Sequence, residues 1–77
     1  MIVTIRAFGQ VAEITQKTTW EESRANSLQE LKTILLQDYP ALSEIPMVFS
    51  MNHQICGEDI LLKPMAEIGI MPPFSGG

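Results

Sequence analysis

The residues with the clearest potential for chemistry are the last six of the sequence, Pro72-Pro73-Phe74-Ser75-Gly76-Gly77. A diglycine with nothing after it would make the terminal carboxylate itself a candidate reactive group. The two prolines restrict φ and remove two backbone donors, whereas the two glycines have no Cβ and accept backbone angles that other residues refuse. The pattern predicts a stiff stem with a thin tip that threads a narrow channel in a partner. The alternative is a frayed terminus or a cloning remnant.

The length and composition predict the kind of domain that carries this segment. The 77 residues suffice for one domain with a modest core, and we expect no active-site cleft of its own. The chain is 45% hydrophobic and 18% charged, which is typical of a globular domain, and it has no apolar run of membrane-spanning length. Because the N-terminus lacks a signal-peptide pattern, we expect an untargeted cytoplasmic protein without a membrane partner.

Charge and cysteine content argue against several function classes. Nine acidic and five basic residues give a net charge of −4, whereas nucleic-acid binding needs clustered Lys and Arg. The single Cys56 cannot form an internal disulfide, and Cys56 with the single His53 cannot build a protein-only zinc site. We therefore expect no metal and no nucleic acid, and we interpret Cys56 as a small buried hydrophobe rather than a sulfur relay.

The first part of the chain predicts a β-hairpin. Residues 2–8 alternate as a strand, which we expect to be central in the sheet. One face of this strand carries Val3, Ile5 and Ala7. Gly9-Gln10 breaks the strand, and the polar stretch from Glu13 to Arg24 predicts a loop and a second strand.

A helix is predicted to start at Ser27. Ser27-Leu28-Gln29-Glu30 is a capping box, in which the Ser27 hydroxyl accepts from the Glu30 amide while the Glu30 side chain reaches back. One apolar stripe follows at helical spacing, formed by Leu28, Leu31, Ile34 and Leu35. Because Pro40 disfavours helical geometry at Tyr39, the helix should end there.

Three more strands are predicted, at residues 47–51, 55–56 and 67–71, with a turn at Asn52-His53-Gln54 between the first two. The order β-β-α-β-β-β predicts an α+β, ubiquitin-like β-grasp fold. We expect a mixed sheet of about five strands, with the last beside the first and one main helix on one face. The chain then divides into a β-grasp domain, residues 1–71, and an extended diglycine tail, residues 72–77.

Three segments carry a resemblance to a known family. They are Phe8-Gly9-Gln10-Val11-Ala12-Glu13, Asn52 in the late turn, and Met71-Pro72-Pro73-Phe74-Ser75-Gly76-Gly77. Together they resemble the MoaD-type sulfur carriers, the small subunit of molybdopterin synthase, within the MoaD/ThiS ubiquitin-like family. The Pro-Pro-x-x-Gly-Gly ending is more particular to the molybdopterin branch than a diglycine alone. The sequence departs from the family at Ala12, where an Arg is usual, and at Lys63-Pro64-Met65-Ala66, where an acidic, glycine-containing turn is usual.

The resemblance implies that the carboxylate of Gly77 carries sulfur. In this family an adenylyltransferase uses ATP to form an acyl-adenylate at the terminal glycine, and a sulfur-donating protein converts the adenylate into a thiocarboxylate. The tail then enters the large subunit, where the sulfur passes to a molybdopterin precursor in molybdenum cofactor biosynthesis. The chain itself would bind no cofactor and catalyse nothing alone. It would be the sulfur-donating subunit of a transferase heterotetramer.

The resemblance also implies an interface. Phe8, Ile55 and Met71 match family positions that form an apolar patch against the large subunit, although each could instead belong to the core. Phe74 would either seat the stem in the partner or pack back on the domain. Three other functions stay open: a carrier for another pathway such as thiazole synthesis, a ubiquitin-like protein modifier, and a pure interaction module.

Overall fold

The computed structural model describes residues 1–73 of the chain. In chain order its elements are β1 (Val3–Ala7), α1 (Gly9–Thr15), β2 (Thr19–Glu22), α2 (Leu28–Asp38), a 3-10 helix (Pro40–Glu44), β3 (Val48–Met51), β4 (Gln54–Cys56) and β5 (Glu67–Met71). The predictions for Phe74, Ser75, Gly76 and Gly77 lie outside the described residues. None of the helices within residues 1–73 is long and apolar enough to cross a membrane.

The strands form one mixed sheet in the order β2-β1-β5-β3-β4. β1 pairs parallel with β5 and antiparallel with β2, and β3 pairs antiparallel with both β4 and β5. The predicted β-grasp fold, with the last strand beside the first, is therefore confirmed. The expectation of a central first strand is confirmed, because β1 lies inside the sheet between β2 and β5, although β5 holds the middle position.

The core lies between one sheet face and the helices. The predicted alternation of β1 is confirmed, since Val3, Ile5 and Ala7 are all buried. Fully buried side chains from the other elements join them: Val11, Leu28, Leu31, Leu35, Leu42, Phe49, Ile68 and Ile70. Burial of each larger aliphatic side chain stabilises the fold by about 1.5–3 kcal/mol. Ile34, at the edge of the predicted stripe of α2, packs against this core but is only partly buried.

Helix α2 begins at the predicted capping residue. The Ser27 Oγ accepts a hydrogen bond from the Glu30 amide at 3.1 Å. The Glu30 carboxylate accepts from the amide of Asn26, at 2.8 Å, rather than from that of Ser27. The reciprocal half of the box is thus displaced by one residue. The helix ends at Asp38, followed by Tyr39 as its C-cap, in agreement with the prediction from Pro40.

Helix α1 was not predicted. Gly9-Gln10 is predicted to break the first strand, and the stretch from Glu13 to Arg24 to begin as a loop, but residues 9–15 form a seven-residue helix. Val11 and Thr15, four residues apart, are its buried side chains, so a single short face packs on the core. Gln16 then caps the helix in the left-handed region at φ 61°, with its amide donating to the Ala12 carbonyl at 2.9 Å.

Candidate functional site

The exposed face of the sheet, opposite the helices, carries the three residues predicted to contact a partner. Phe8 is 48% exposed and Ile55 64% exposed, and Met71 is half-buried at the end of β5. All three line one shallow depression, which we call the Gly69 depression. Its other lining residues are Arg6, Ser50, His53, Glu67 and Gly69. Phe8, Ile55 and Met71 are therefore surface residues of this face and not members of the core.

The register of the strands places residues from four strands side by side on this face. Gly69 pairs with Arg6 across β1 and β5 and with Ser50 across β3 and β5, and Ser50 pairs in turn with Ile55 on β4. These four residues form one row across the sheet, because paired positions point to the same face. Phe8 follows β1, and its amide donates to the Ile70 carbonyl at 3.0 Å.

Gly69 lines the depression and is itself buried. A Cβ built on Gly69 would clash with the Ser50 hydroxyl and would lie 3.1 Å from Cε of Met71 and 3.7 Å from Cε2 of Phe8. Three side chains from different parts of the chain thus converge on one bare Cα. The shape of the apolar surface depends on this close approach.

A charged rim borders one side of the depression. The Glu67 carboxylate lies 3.7 Å from Nη1 of Arg6 and 3.5 Å from Nε2 of His53. The side chains of Arg6 and His53 are more than half exposed, so these pairs contribute little to folding stability. The charge of Arg6 remains accessible to a partner that covers the face.

Asn52 fixes the turn that presents His53. Asn52 and His53 both have positive φ, 51° and 71°, as the two central residues of a tight hairpin turn between β3 and β4 require. The Asn52 Oδ1 accepts from the Glu67 amide at 3.0 Å, and the Asn52 amide donates to the Glu67 carbonyl at 2.8 Å. Asn52 therefore locks the turn to β5 at the border of the depression.

The stem of the tail begins beside the same face. Met71 ends β5, and the half-buried Pro72 follows it directly. A Cβ built on Gly9 would lie 3.2 Å from Cγ of Pro72, so the proline ring packs against the start of α1. Pro73 is exposed. A partner that takes up the tail must consequently lie close to the Gly69 depression.

Cys56 lies on β4 and is half-buried, packing against the core. Burial raises the pKa of its thiol, so the reactive thiolate is disfavoured at neutral pH. Cys56 thus packs as the small hydrophobe that was predicted, although it is half-buried rather than buried. Within residues 1–73, no three His, Cys, Asp or Glu side chains are grouped so that they could hold a metal ion.

Comparison of the sequence with known proteins shows the family to which this chain belongs. Residues 5–77 match the ThiS family. The chain belongs to the ThiS family. The molybdopterin synthase sulfur carrier subunit of Caenorhabditis briggsae is 32% identical over 81 residues, which cover 97% of this chain and 96% of that protein. The predicted family is therefore confirmed.

Solved structures include relatives of this ThiS-family protein. A chain in the complex of subunits 1 and 2 of molybdopterin-converting factor from Helicobacter pylori 26695 is 28% identical, with a TM-score of 0.72 over the whole of both chains. SAMP1 from Haloferax volcanii matches over the whole of both chains with a TM-score of 0.81 at 17% identity. At that identity the second likeness shows the fold alone.

The sequence pointed to three residues of this ThiS-family site and missed others. Gly69 and Ser50 were not singled out, and neither were the ion-pair partners Arg6 and Glu67. A glycine inside a predicted strand is a signal of close backbone approach, and it could have marked Gly69. Arg6 and Glu67 carried no such signal, because their proximity arises from the parallel pairing of β1 with β5.

Proposed function

We propose that this ThiS-family protein is the sulfur carrier subunit of a molybdopterin synthase and acts in molybdenum cofactor biosynthesis in the cytoplasm. The observation that carries the proposal is the continuity of an exposed apolar face with the Pro-Pro stem of the tail. The Caenorhabditis briggsae relative, named as such a carrier subunit, supports it. The Helicobacter pylori relative, solved as a complex of two subunits, supports the association with a second subunit.

The reaction would take place at the carboxylate of Gly77. An ionised carboxylate resists nucleophilic attack, so it must first be activated. An adenylyltransferase partner joins it to AMP from ATP, with release of pyrophosphate. A sulfur-donating protein then supplies sulfur at the oxidation level of sulfide, which attacks the acyl carbon and displaces AMP, and the product is a thiocarboxylate. The domain's own free thiol, Cys56, is poorly suited to this step because burial raises its pKa.

Delivery of the sulfur would require docking on the large subunit. The apolar side chains of Phe8, Ile55 and Met71 would be covered by that subunit, and Pro72 and Pro73 would direct the tip into its active site. Each carrier holds one sulfur, so a dithiolene product needs two deliveries. Two carriers and two large subunits would form the heterotetramer. The cationic and proton-transferring groups at the reaction centre would come from the large subunit.

A ubiquitin-like modifier is the second candidate, favoured by the likeness in fold to SAMP1 from Haloferax volcanii. A modifier would use the same adenylated Gly77 but would end in an isopeptide bond to a lysine of another protein. A carrier for another pathway, such as thiazole synthesis, would share the thiocarboxylate and would transfer sulfur to a different acceptor. The products therefore distinguish the three functions.

The test has two parts. The intact mass of the protein, purified from its own cells, should show one sulfur in place of one oxygen at the C-terminus. The thiocarboxylated protein, mixed with the large subunit and the precursor, should then form molybdopterin in a single turnover. Deletion of Gly77 should abolish both results without unfolding the domain. Ladders of lysine conjugates, or a thiocarboxylate that the large subunit cannot use, would contradict the proposal.

A further inference from the structure

Gly69 serves the outer face of the sheet rather than the core. Its neighbours on β5, Ile68 and Ile70, point inward and are fully buried. A glycine in the middle strand of a sheet weakens that strand, because it has no side chain to pack and loses more conformational freedom on folding. Because Gly69 has no Cβ, the side chains of Ser50, Met71 and Phe8 can approach its Cα closely.

The walls and rim of the Gly69 depression differ in chemistry. Apolar walls are formed by Phe8, Ile55 and Met71, whereas Arg6 and Glu67 stand on the rim. A charged side chain entering between the apolar walls would lose its hydration, and the charged groups of the rim, Arg6 and Glu67, already face each other at 3.7 Å. An apolar side chain would bury its surface there, and the polar rim would shield it from water, as at the centres of protein interfaces.

We propose that the Gly69 depression receives one uncharged, apolar side chain of the large subunit, and that Gly69 determines which side chain fits. This inference rests on the proposed function. The large subunit is the expected occupant because Met71, which lines the depression, is followed directly by Pro72, the first residue of the stem that sulfur delivery would thread into that subunit. A protein that holds the tail must cover the adjacent depression. Gly69 is accordingly a specificity-determining residue of the interface.

The substitution Gly69→Ala tests the inference directly. The new methyl group would displace the Ser50 hydroxyl and the terminal methyl of Met71, two flexible groups that can move outward into the depression. The fold can therefore accept the change while the depression loses its shape. We expect the dissociation constant for the large subunit, measured by calorimetry, to rise about tenfold. Gly57→Ala is the matched control, because Gly57 does not line the depression.

Two further variants distinguish a change in the shape of the depression from a loss of folding stability. Ser50→Thr adds a methyl group above Gly69 from β3, where a β-branched residue suits the strand, and it should weaken binding in the same way. Ser50→Ala removes the hydroxyl that a methyl group at position 69 would meet first. The double variant Ser50→Ala/Gly69→Ala should therefore bind more tightly than Gly69→Ala alone, a non-additive effect typical of residues in contact.

The outcomes distinguish the inference from the function on which it rests. If the unchanged protein does not bind the large subunit, the proposed function fails and the inference fails with it. If the unchanged protein binds and both Gly69→Ala and Ser50→Thr bind within about twofold of it, a difference below about 0.5 kcal/mol, the inference alone is overturned. Weaker binding by both variants, with recovery in the double variant and no change for Gly57→Ala, supports it.

Discussion

Pro72 packs against the bare Cα of Gly9, where a Cβ would lie 3.2 Å from Cγ and 3.4 Å from Cδ of the proline ring. Gly9 has φ 56°, in the left-handed region that glycine adopts without strain. The start of helix α1 and the start of the tail therefore support each other. Through this contact a residue far from the tail in sequence packs against Pro72, the first residue of the stem.

We expect Gly9→Ala to slow sulfur delivery. The new methyl group would strain the backbone, by roughly 1–2 kcal/mol for an L-residue in the left-handed region, and would push Pro72 away. The stem would then leave the domain at a changed angle. Single-turnover conversion of precursor by preformed thiocarboxylated carrier should fall, whereas adenylation, which requires only the tip, should fall less.

Ala12→Gly is the matched control for this variant. It lies in the same helix and should destabilise the domain by a similar amount, about 1 kcal/mol, without touching Pro72. Thermal unfolding of both variants measures how much stability each substitution removes from the domain. Equal delivery rates for Gly9→Ala and Ala12→Gly at equal stability would show that the contact does not direct the tail.

Helix α1 also illustrates what the sequence could not predict about the fold. The bounds of β5 and the start of α2 were predictable, because alternating apolar residues and a capping box are local signals. Helix α1 has only seven residues and buries only Val11 and Thr15, so its pattern is too short to distinguish it from a loop. Its stability comes from packing on the core, a tertiary effect that overrides local preference.

The candidate site was predictable to the extent that its residues resembled a family. Phe8, Ile55 and Met71 were named from that resemblance, and the structure places them on one exposed face. Ser50 is 8% exposed although it lies on this outer face, which alternation predicts to be solvated. Its burial follows from the close approach to Gly69, and this proximity requires the pairing of β3 with β5.

Charges introduced into the face should prevent docking. Phe8→Asp or Ile55→Asp should weaken binding to the large subunit by several kcal/mol, because a carboxylate buried at an interface without a partner is destabilising. In the free protein Phe8 is about half exposed and Ile55 is 64% exposed, so thermal unfolding should change much less than binding. Surface plasmon resonance and thermal unfolding measure the two effects separately.

Leu61→Asp provides the control for these variants. Leu61 is 76% exposed and does not line the Gly69 depression, so the same chemical change should leave binding intact. Met71→Asp should resemble the Phe8 and Ile55 variants, with some additional loss of stability because Met71 is half-buried. If binding stays unchanged in all three variants, the face is not the docking surface.

Glu22 should contribute stability that depends on pH. Its side chain is 6% exposed, and its carboxylate accepts from Nε of Arg24 at 3.0 Å and from Nη2 at 2.8 Å. These hydrogen bonds from Arg24 hold the pKa of Glu22 below its ordinary value of 4.5. A carboxyl group with a lowered pKa in the folded state stabilises the fold fully above its unfolded pKa. It loses that contribution as the pH falls through the folded value.

We therefore expect Glu22→Gln to lower the free energy of unfolding at pH 7 by about 1–3 kcal/mol. The difference from the unchanged protein should shrink as the pH falls below about 4.5. Denaturant titrations at several pH values measure it, with the exposed neighbour Glu21→Gln as control. A difference that stays constant from pH 7 down to pH 3 would mean that ionisation of Glu22 is not its source.

Cys56 should be dispensable for sulfur transfer. Because burial raises the pKa of its thiol, alkylation by iodoacetamide at neutral pH should be slower than that of a free cysteine and should accelerate only at higher pH. Cys56→Ala should form the thiocarboxylate and deliver sulfur at the unchanged rate. A carrier that cannot be loaded after this substitution, while remaining folded, would identify Cys56 as a sulfur relay.

The two prolines should matter most inside the large subunit. Restricted φ keeps Pro72 and Pro73 extended, at about 3.1 Å per residue if the stem is polyproline-like. The tip can then reach the partner's active site without a large entropic loss on ordering. Replacing both prolines by glycine keeps the length of the tail but loosens the stem and removes the contact of Pro72 with Gly9.

We expect the double glycine variant to be adenylated slightly more slowly and to deliver sulfur much more slowly, because delivery requires the tail to stay threaded in one orientation. Pro73→Gly alone separates the loosening of the stem from the loss of the contact between Pro72 and Gly9. Pro73 is exposed, and this variant retains that contact. Its rate should lie between those of the unchanged and the double variant. Single-turnover assays with preformed thiocarboxylate compare all three proteins. Equal delivery rates would mean that the prolines only terminate β5, and they would favour a generic diglycine carrier over a molybdopterin synthase subunit.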